Sequence, residues 1–329
     1  MNNFKKIGMT ALAASLVSTS VFAGELAVSG SASVNWENYS GVAKDSTKAF
    51  SMGNQITFSG SGELDNGLTV GLSFTIDEGD NVNAAGAVTS SIFDAHSVTI
   101  SSDALGTFKF HGEGGDSAQN AVGDTAAGNI WDNFDGVGGT TLRESRAGDN
   151  MMHYTLPSMV DGVTVAVSYT PATGEDEADS AYALTYTGIE GLSVSYGAGS
   201  NDGQAVGSGG SAANTDVTSM KVSYAYGPVT IAYSDHESDS NTATSDQDAT
   251  SFKLSYTVSD AISISYAEEE IDSNGAAELQ DAEYSKVVAS YTSGGMTISA
   301  NYQEADNTNY TTAVSEDYEY AGVSLSFAF

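Results

Sequence analysis

A long polar stretch at 112–141 holds the most concentrated candidate chemistry in the sequence. Carboxylates attract cations and supply the oxygen ligands that calcium prefers. The run 132–136 is similar to oxygen-rich calcium loops, although the full pattern of such a loop is missing. The stretch is too long for a hairpin connection, and loops of this length usually carry a function or are disordered. Its carboxylates are Glu113, Asp116, Asp124, Asp132 and Asp135.

Residues for enzyme chemistry form no recognisable set. Carboxylate runs such as 268–270 are typical of solvated loop edges, and no nucleophile elbow, phosphate-binding loop or dinucleotide fingerprint occurs. We therefore predict that the chain is not an enzyme and has no cofactor, with calcium at Asp132 and Asp135 as an open alternative. The histidines, which lack the spacing of a His-Glu-x-x-His metal site, are His96, His111, His153 and His236.

The first residues predict export. Lys5 and Lys6 precede an apolar stretch at 7–17 that is too short to span a bilayer as a helix. Small residues at positions 21 and 23 then match the two positions that a signal peptidase reads. We expect a signal peptide at 1–23 and a mature chain at 24–329.

The charge balance excludes some partners. The chain has 43 acidic and 10 basic residues and a net charge of −33, so it would repel nucleic acid and anionic membrane surfaces. It has no cysteine, which leaves no disulfide, no lipid-modified cysteine and no thiolate metal site. A high charge can also indicate disorder, but 17 tyrosines, 12 phenylalanines and a regular alternation argue against it.

Apolar residues alternate with small polar residues along most of the chain. Because successive side chains of a strand face opposite sides, each such run forms one apolar and one polar face. No segment has a convincing helix pattern, so the sequence predicts an all-β chain. Clear runs are Leu68-Val70-Leu72-Phe74-Ile76, Val163-Val165-Val167-Tyr169 and Phe252-Leu254-Tyr256.

Short turns and long polar links alternate in the same way. Asn-Gly, Asp-Gly and Gly-Gly pairs supply the positive φ that tight hairpins need. Seven short turns and eight long links predict sixteen strands with both chain ends on the short-turn side, as in an up-and-down membrane barrel. The predicted long links are 37–52, 77–91, 112–141, 171–179, 199–216, 236–249, 271–282 and 304–316.

The composition of the two faces favours a barrel over two packed sheets. The polar face is almost all Ser, Thr, Gly and Ala, which suits a water-filled lumen, and closure removes unpaired strand edges that a bilayer could not tolerate. Alternation with Phe108 and Phe110 places Lys109 on the polar face. The basic residues predicted to line the lumen, or to lie where the third long link returns, are Lys109, Arg143, Arg146, Lys221, Lys253 and Lys286.

The last strand alternates up to a terminal aromatic residue, Phe329, and resembles the assembly signal of Gram-negative outer-membrane barrels. Together with the export signal, the first mature strand at 26–30 and the long stretch at 112–141, the whole mature chain resembles the general (non-specific) porin family, especially its alphaproteobacterial type. The resemblance implies a 16-stranded antiparallel up-and-down transmembrane β-barrel in the cell outer membrane. It also implies a homotrimer, surrounded by outer-membrane lipid and lipopolysaccharide, that passes small hydrophilic solutes and ions by passive diffusion.

The resemblance further implies that the loop at 112–141 folds into the barrel as a constriction loop. Its carboxylates would then lie at the narrowest point, and we expect weak cation selectivity because charge rings bias ion entry. Many family members place a cluster of arginines on the early strands, whereas the strands before residue 100 hold none here. Any basic half of the constriction would therefore come from Lys109, Arg143 and Arg146.

Three alternatives stay open. A secreted β-rich adhesin would also have acidic loops, but it would not need the terminal Phe329 or the turn–link alternation. A secreted β-sandwich hydrolase would need a convergent catalytic pair, which the sequence does not offer. A substrate-selective channel is the third, although a phosphate pore would need more basic rings than this chain carries.

Overall fold

The computed structural model describes most of the chain after residue 25. Its described residues are 26–41, 47–77, 94–135, 142–172, 177–202, 214–241, 246–273, 280–308, 310 and 317–329. The expected signal peptide at 1–23 lies outside these residues and stays a prediction. Within them, no helix has the length and apolar character needed to cross a membrane.

Sixteen strands in the described part of the chain form one closed antiparallel barrel. Each strand pairs with its neighbours in sequence, and β1 also pairs with β16, which closes the barrel. The predicted all-β, 16-stranded fold is confirmed. The strands are β1 Ala27–Gly41, β2 Thr47–Glu63, β3 Thr69–Asp77, β4 Ala95–Ser102, β5 Gly106–Glu113, β6 Met151–Thr155, β7 Val163–Thr170, β8 Asp179–Tyr186, β9 Leu192–Asn201, β10 Thr215–Tyr226, β11 Val229–Ser240, β12 Gln247–Ser259, β13 Ile262–Ser273, β14 Ala282–Ser293, β15 Met296–Asp306 and β16 Tyr318–Ala328.

The alternation in the sequence becomes two faces with opposite chemistry. On β12, Leu254 is exposed whereas Ser251 is buried, and the same pattern repeats on β7, where Val167 is exposed and Ser168 is buried. Exposed apolar side chains repeated on strand after strand would form an unusually large patch in water. They suit the apolar band that a membrane barrel presents to lipid.

The barrel closes where the first and last strands meet. Gly30 and Phe329 exchange two backbone hydrogen bonds of 2.8 and 3.0 Å. A Cβ atom on Gly30 would lie 2.7 Å from the Phe329 ring, so glycine lets this ring lie over β1. The Phe329 side chain itself is 74% exposed, on the rim of the barrel.

Glycine is required at several of the short turns between strands. Gly191, between β8 and β9, has φ +77°, and a Cβ there would overlap the carbonyl oxygen of Ala225 on the neighbouring strand β10. Both the backbone conformation and the close approach of β10 therefore exclude a side chain at this turn.

Three predicted links have clearly the wrong length. The link at 37–52 is wrong because β1 and β2 stay paired as far as Tyr39 and Thr47, which leaves only 42–46 between the strands. The predicted link is too long here because the paired ends of β1 and β2 are rich in polar residues, which are also typical of loops. The link at 236–249 is too long, because β11 runs to Ser240 and β12 begins at Gln247, which leaves 241–246 between them.

The link at 112–141 is too short, since β5 ends at Glu113 and β6 begins at Met151. Residues 142–150 form no strand. Isolated backbone contacts of Gly148 with Gly115 and of Arg146 with Ser200, and side-chain bonds such as that of Gln119 with Ser145, hold them instead. The interior of this link also contains two short helical turns, Asn120–Val122 and Asp132–Asp135.

Candidate functional site

The third link, residues 114–150, is bonded to serines on the polar face of the barrel. Three successive contacts join its backbone N–H groups to serine hydroxyls on β7, β11 and β12. Ala118 donates to Ser168 at 2.9 Å, Ala126 to Ser234 at 2.8 Å and Ala127 to Ser251 at 3.1 Å. Since buried backbone N–H groups need acceptors, these serines fix the path of the link along the wall.

Gln119 joins the outgoing and returning halves of the third link. Its Nε2 donates to Ser219 on β10 at 2.8 Å, and its Oε1 accepts from the Ser145 backbone at 2.9 Å. The hydroxyl of Ser219 also bonds His236 Nδ1 at 2.8 Å, while His236 Nε2 bonds the Arg143 carbonyl oxygen at 2.6 Å. A buried polar network thus holds both halves against β10 and β11.

Glu269 on β13 is the anchor at the centre of the third link. Its side chain is 2% exposed and accepts hydrogen bonds from the Thr125 hydroxyl and from the Trp131 backbone at 3.0 Å. Between these two contacts the chain makes a tight turn. Thr125 and Asn129 bond each other's backbone N–H groups through their side chains, at 2.9 Å each. The turn is therefore rigid in itself and fastened to the wall.

Aromatic packing completes the attachment. Trp131 and Phe134 are buried in one apolar cluster with residues of the last strands. The Phe134 ring lies 5.9 Å from that of Tyr284 on β14, and the Tyr39 hydroxyl of β1 donates to the Asn133 carbonyl oxygen at 3.1 Å. The link therefore contacts β1 and β14 as well as β7 and β10–β13.

The acidic cavity is a space of about 330 Å³ along the third link. It brings together three of the predicted carboxylates, Asp116, Asp124 and Asp132, and adds Glu144, which the sequence-based reasoning missed. Burial raises the pKa of Glu144 to about 7, and repulsion from Asp124 and Asp116 adds to this rise, while a hydrogen bond with Asn120 opposes it. The only sequence signal for Glu144 is its position between Arg143 and Arg146.

The other two predicted carboxylates lie elsewhere or outside the described part. Glu113, at the end of β5, faces His96, with 3.7 Å between the carboxylate and Nδ1. The side chain of Asp135 lies outside the described residues. In the part of the chain that the structure describes, no three His, Asp or Glu side chains are grouped to hold a metal ion. Calcium at Asp132 and Asp135 stays a prediction.

The predicted basic residues do not form one group. Lys221 on β10 donates to the Asp124 carbonyl oxygen at 2.8 Å. Arg146 donates to the Asp179 carboxylate at 3.3 Å, at the start of β8. Lys109 pairs with His153 across β5 and β6. Arg143 is held through its backbone, with its N–H donating to Gln247 Oε1 at 3.2 Å. Lys253 lines a separate cavity together with Lys286.

A closed barrel with an apolar outer band and a polar inner surface defines the class of transmembrane β-barrel proteins. The sequence matches the family described as Gram-negative porin over residues 8–270, which is most of the chain, and the chain belongs to that family. It is an outer-membrane channel protein. The alphaproteobacterial type that the sequence suggests stays a prediction.

Solved structures of porins have the same fold. The anion-selective porin from Comamonas acidovorans is 14% identical, with a TM-score of 0.71, covering 93% of this chain and 100% of its own. The OmpF of Salmonella typhi in complex with daunomycin is 14% identical, with a TM-score of 0.65, covering 93% and 98%. A mutant of the Rh. blastica porin is 15% identical, with a TM-score of 0.63, covering 93% and 100%. No curated protein sequence matches the chain.

Proposed function

We propose that the polar face lines a water-filled channel for passive diffusion of small hydrophilic solutes and ions, and that the third link narrows it. The contacts of the link with serines on β7, β11 and β12, and with Glu269 on β13, support this arrangement. Because these hydrogen bonds recur along its course, the link would act as a fixed constriction and not as a mobile lid.

The channel is weakly cation-selective. The observation that carries this proposal is the gathering of Asp116, Asp124, Asp132 and Glu144 around one cavity of the third link. Rings of carboxylates raise the local concentration of cations and repel anions. The nearby ammonium group of Lys221 donates to the Asp124 carbonyl oxygen and attracts the Asp124 carboxylate, so it offsets only part of the charge of these four carboxylates.

Reversal potentials in a salt gradient test the sign of selectivity. The purified, detergent-folded protein is placed in a planar bilayer with KCl at different concentrations on the two sides. We expect a cation preference that falls clearly in the Asp124→Asn/Asp132→Asn variant. A matched control, Asp65→Asn/Asp103→Asn, removes two charges from exposed short turns and should change it little. Anion preference in the unmodified protein, as named for the Comamonas acidovorans porin, would overturn the proposal.

The apolar outer face of the barrel indicates what surrounds the channel in the membrane. We propose a homotrimer, with outer-membrane lipid and lipopolysaccharide around the remaining surface. Phe58 and Phe74 stack on the outer face of β2 and β3 with ring centroids 5.1 Å apart, which gives a flat apolar area suited to a neighbouring subunit. Chemical cross-linking in native membranes should give a trimer. Replacing Phe74 by a charged residue should reduce the yield of cross-linked trimer, whereas the same replacement at Leu254 on β12 should not.

A further inference from the structure

A second cavity, of about 570 Å³, lies under the turn of the third link, toward the short-turn ends of β12–β15. We name it the basic cavity. Ala127 and Gly128 of the link form part of its wall. The strands add Lys253 and Lys286, hydroxyl and amide groups such as Ser255, Ser265 and Asn301, and the apolar residues Ile264, Ala267 and Val288. Its described lining contains no carboxylate, although the chain has 43 acidic residues.

The strand register brings the two lysines together. Lys253 on β12 pairs with Ala267 on β13, and Ala267 pairs with Lys286 on β14. The two lysine backbones are thus two strand spacings apart, about 10 Å, with a small, buried alanine between them. Because a lysine stem is long and flexible, both ammonium groups can reach one small molecule in front of Ala267.

The charge of these lysines is only partly offset. Among described residues, no hydrogen bond or ion pair joins Lys253 or Lys286 to a partner, in contrast to Lys221, which donates to the third link. Lys286 attracts Glu269 at longer range. The carboxylate of Glu269, however, already accepts hydrogen bonds from the third link. The basic cavity therefore keeps an excess of positive charge, surrounded by hydroxyl donors.

We propose that the basic cavity binds a small anion through its carboxylate or phosphate oxygens, held by Lys253 and Lys286. This site rests on the proposed channel and adds a solute class to it. Its volume is in the range of small-molecule sites. Asp124 and Asn129 line the acidic cavity while Ala127 and Gly128 line the basic one, so a single turn separates two cavities of opposite charge. Small cations would gather at one and small anions at the other.

Direct binding tests the site without relying on conduction. Detergent-folded protein is titrated by calorimetry with succinate, with inorganic phosphate and with uncharged butane-1,4-diol. We expect saturable binding of at least one anion and none of the diol, since the diol lacks charge. Lys253→Gln/Lys286→Gln should weaken anion binding about tenfold or more. Lys253→Arg/Lys286→Arg should keep it, and so should the control Lys48→Gln at the start of β2, a strand that contributes no described residue to the lining of the basic cavity.

Two results would overturn the site: an unmodified protein that binds neither anion, or equal affinity in the glutamine variant. Heat-modifiable migration shows which variants fold. If the double glutamine variant does not fold, each single glutamine variant takes its place and should show a smaller loss of anion binding. A bilayer recording separates this inference from the proposed function. A protein that binds succinate but does not conduct would contradict the channel alone. A cation-preferring channel without anion binding would contradict the site alone.

Discussion

The backbone N–H of Trp131 donates to the buried carboxylate of Glu269 at 3.0 Å, across 138 residues of sequence. The hydroxyl of Thr125 donates to the same carboxylate. One side chain of β13 therefore accepts hydrogen bonds from both ends of the turn in the third link. A charged acceptor makes stronger hydrogen bonds than a neutral one. Glu269 therefore fixes the position of the turn that separates the acidic and basic cavities.

Replacing Glu269 by alanine should loosen the third link while leaving the barrel closed. The change removes the acceptor of a buried N–H group, at a cost of about 1–3 kcal/mol. We expect single-channel recordings with larger and noisier conductance, because the turn would no longer be held at one position. Heat-modifiable migration should show that the barrel still folds.

Glu268→Ala is the matched control for this prediction. It removes the same charge from the adjacent residue, whose side chain is exposed on the opposite face of β13 and bonds only the Tyr266 hydroxyl in the described structure. Conductance noise should stay at the level of the unmodified protein. Equal noise in the two variants would mean that Glu269 does not position the link.

Cation preference should depend on pH through Glu144. Burial in the acidic cavity, and repulsion from Asp124 and Asp116, raise the pKa of Glu144 to about 7. The carboxyl is neutral below this pH and negative above it. We therefore expect the cation preference measured from reversal potentials to increase between about pH 6 and 8, one unit on each side of the pKa. Glu144→Gln should abolish this step.

The same titration gives a sign for stability. The folded pKa of Glu144 lies above the ordinary value of 4.5, so the folded protein binds this proton more tightly than the unfolded chain. Its contribution to the free energy of unfolding is largest below pH 4.5, decreases as the pH rises and is lost above about pH 7. Urea unfolding should show that the free energy of unfolding depends on pH across this range in the unmodified protein, and depends on it less in Glu144→Gln. A pH-dependent selectivity that persists in Glu144→Gln would assign the step to another group.

The barrel could be predicted because lipid imposes one rule on every strand. Runs such as Val163-Val165-Val167-Tyr169 must face lipid wherever the strand lies, so alternation and turn residues are sufficient to count the strands. Link lengths were harder to predict. Polar residues pair within strands at Tyr39 and Thr47 as readily as they form loops, and no local signal separates the two cases.

The anchors of the third link could not be predicted from composition. Serines such as Ser234 and Ser251 look alike in a sequence whether they face water or accept a backbone hydrogen bond. Glu269 stands in a run of three glutamates, which is typical of a solvated edge. Strand parity was the signal that could have identified it, since it places Glu269 on the same face as Ala267, opposite to Glu268.

Arg146 should matter for stability more than Arg143, although the sequence gives both the same role. The guanidinium of Arg146 donates to the Asp179 carboxylate at 3.3 Å and to the Glu177 carbonyl oxygen at 2.9 Å. Asp179 is 2% exposed and also accepts from the Asp202 backbone at 2.7 Å. Arg146→Ala leaves a buried carboxylate without its cation, which should cost about 2–3 kcal/mol after its remaining hydrogen bonds are considered.

The temperature at which the folded band disappears in heat-modifiable migration measures this cost. Arg143→Ala should lower it little, because the described hydrogen bonds of Arg143 to Gln247 and His236 use its backbone and survive the change. Arg146→Ala/Asp179→Asn should recover most of the loss, since removing the charge of Asp179 also removes the need for a partner. If that double variant were as unstable as Arg146→Ala alone, the loss would come from the contact with the Glu177 carbonyl and not from the ion pair.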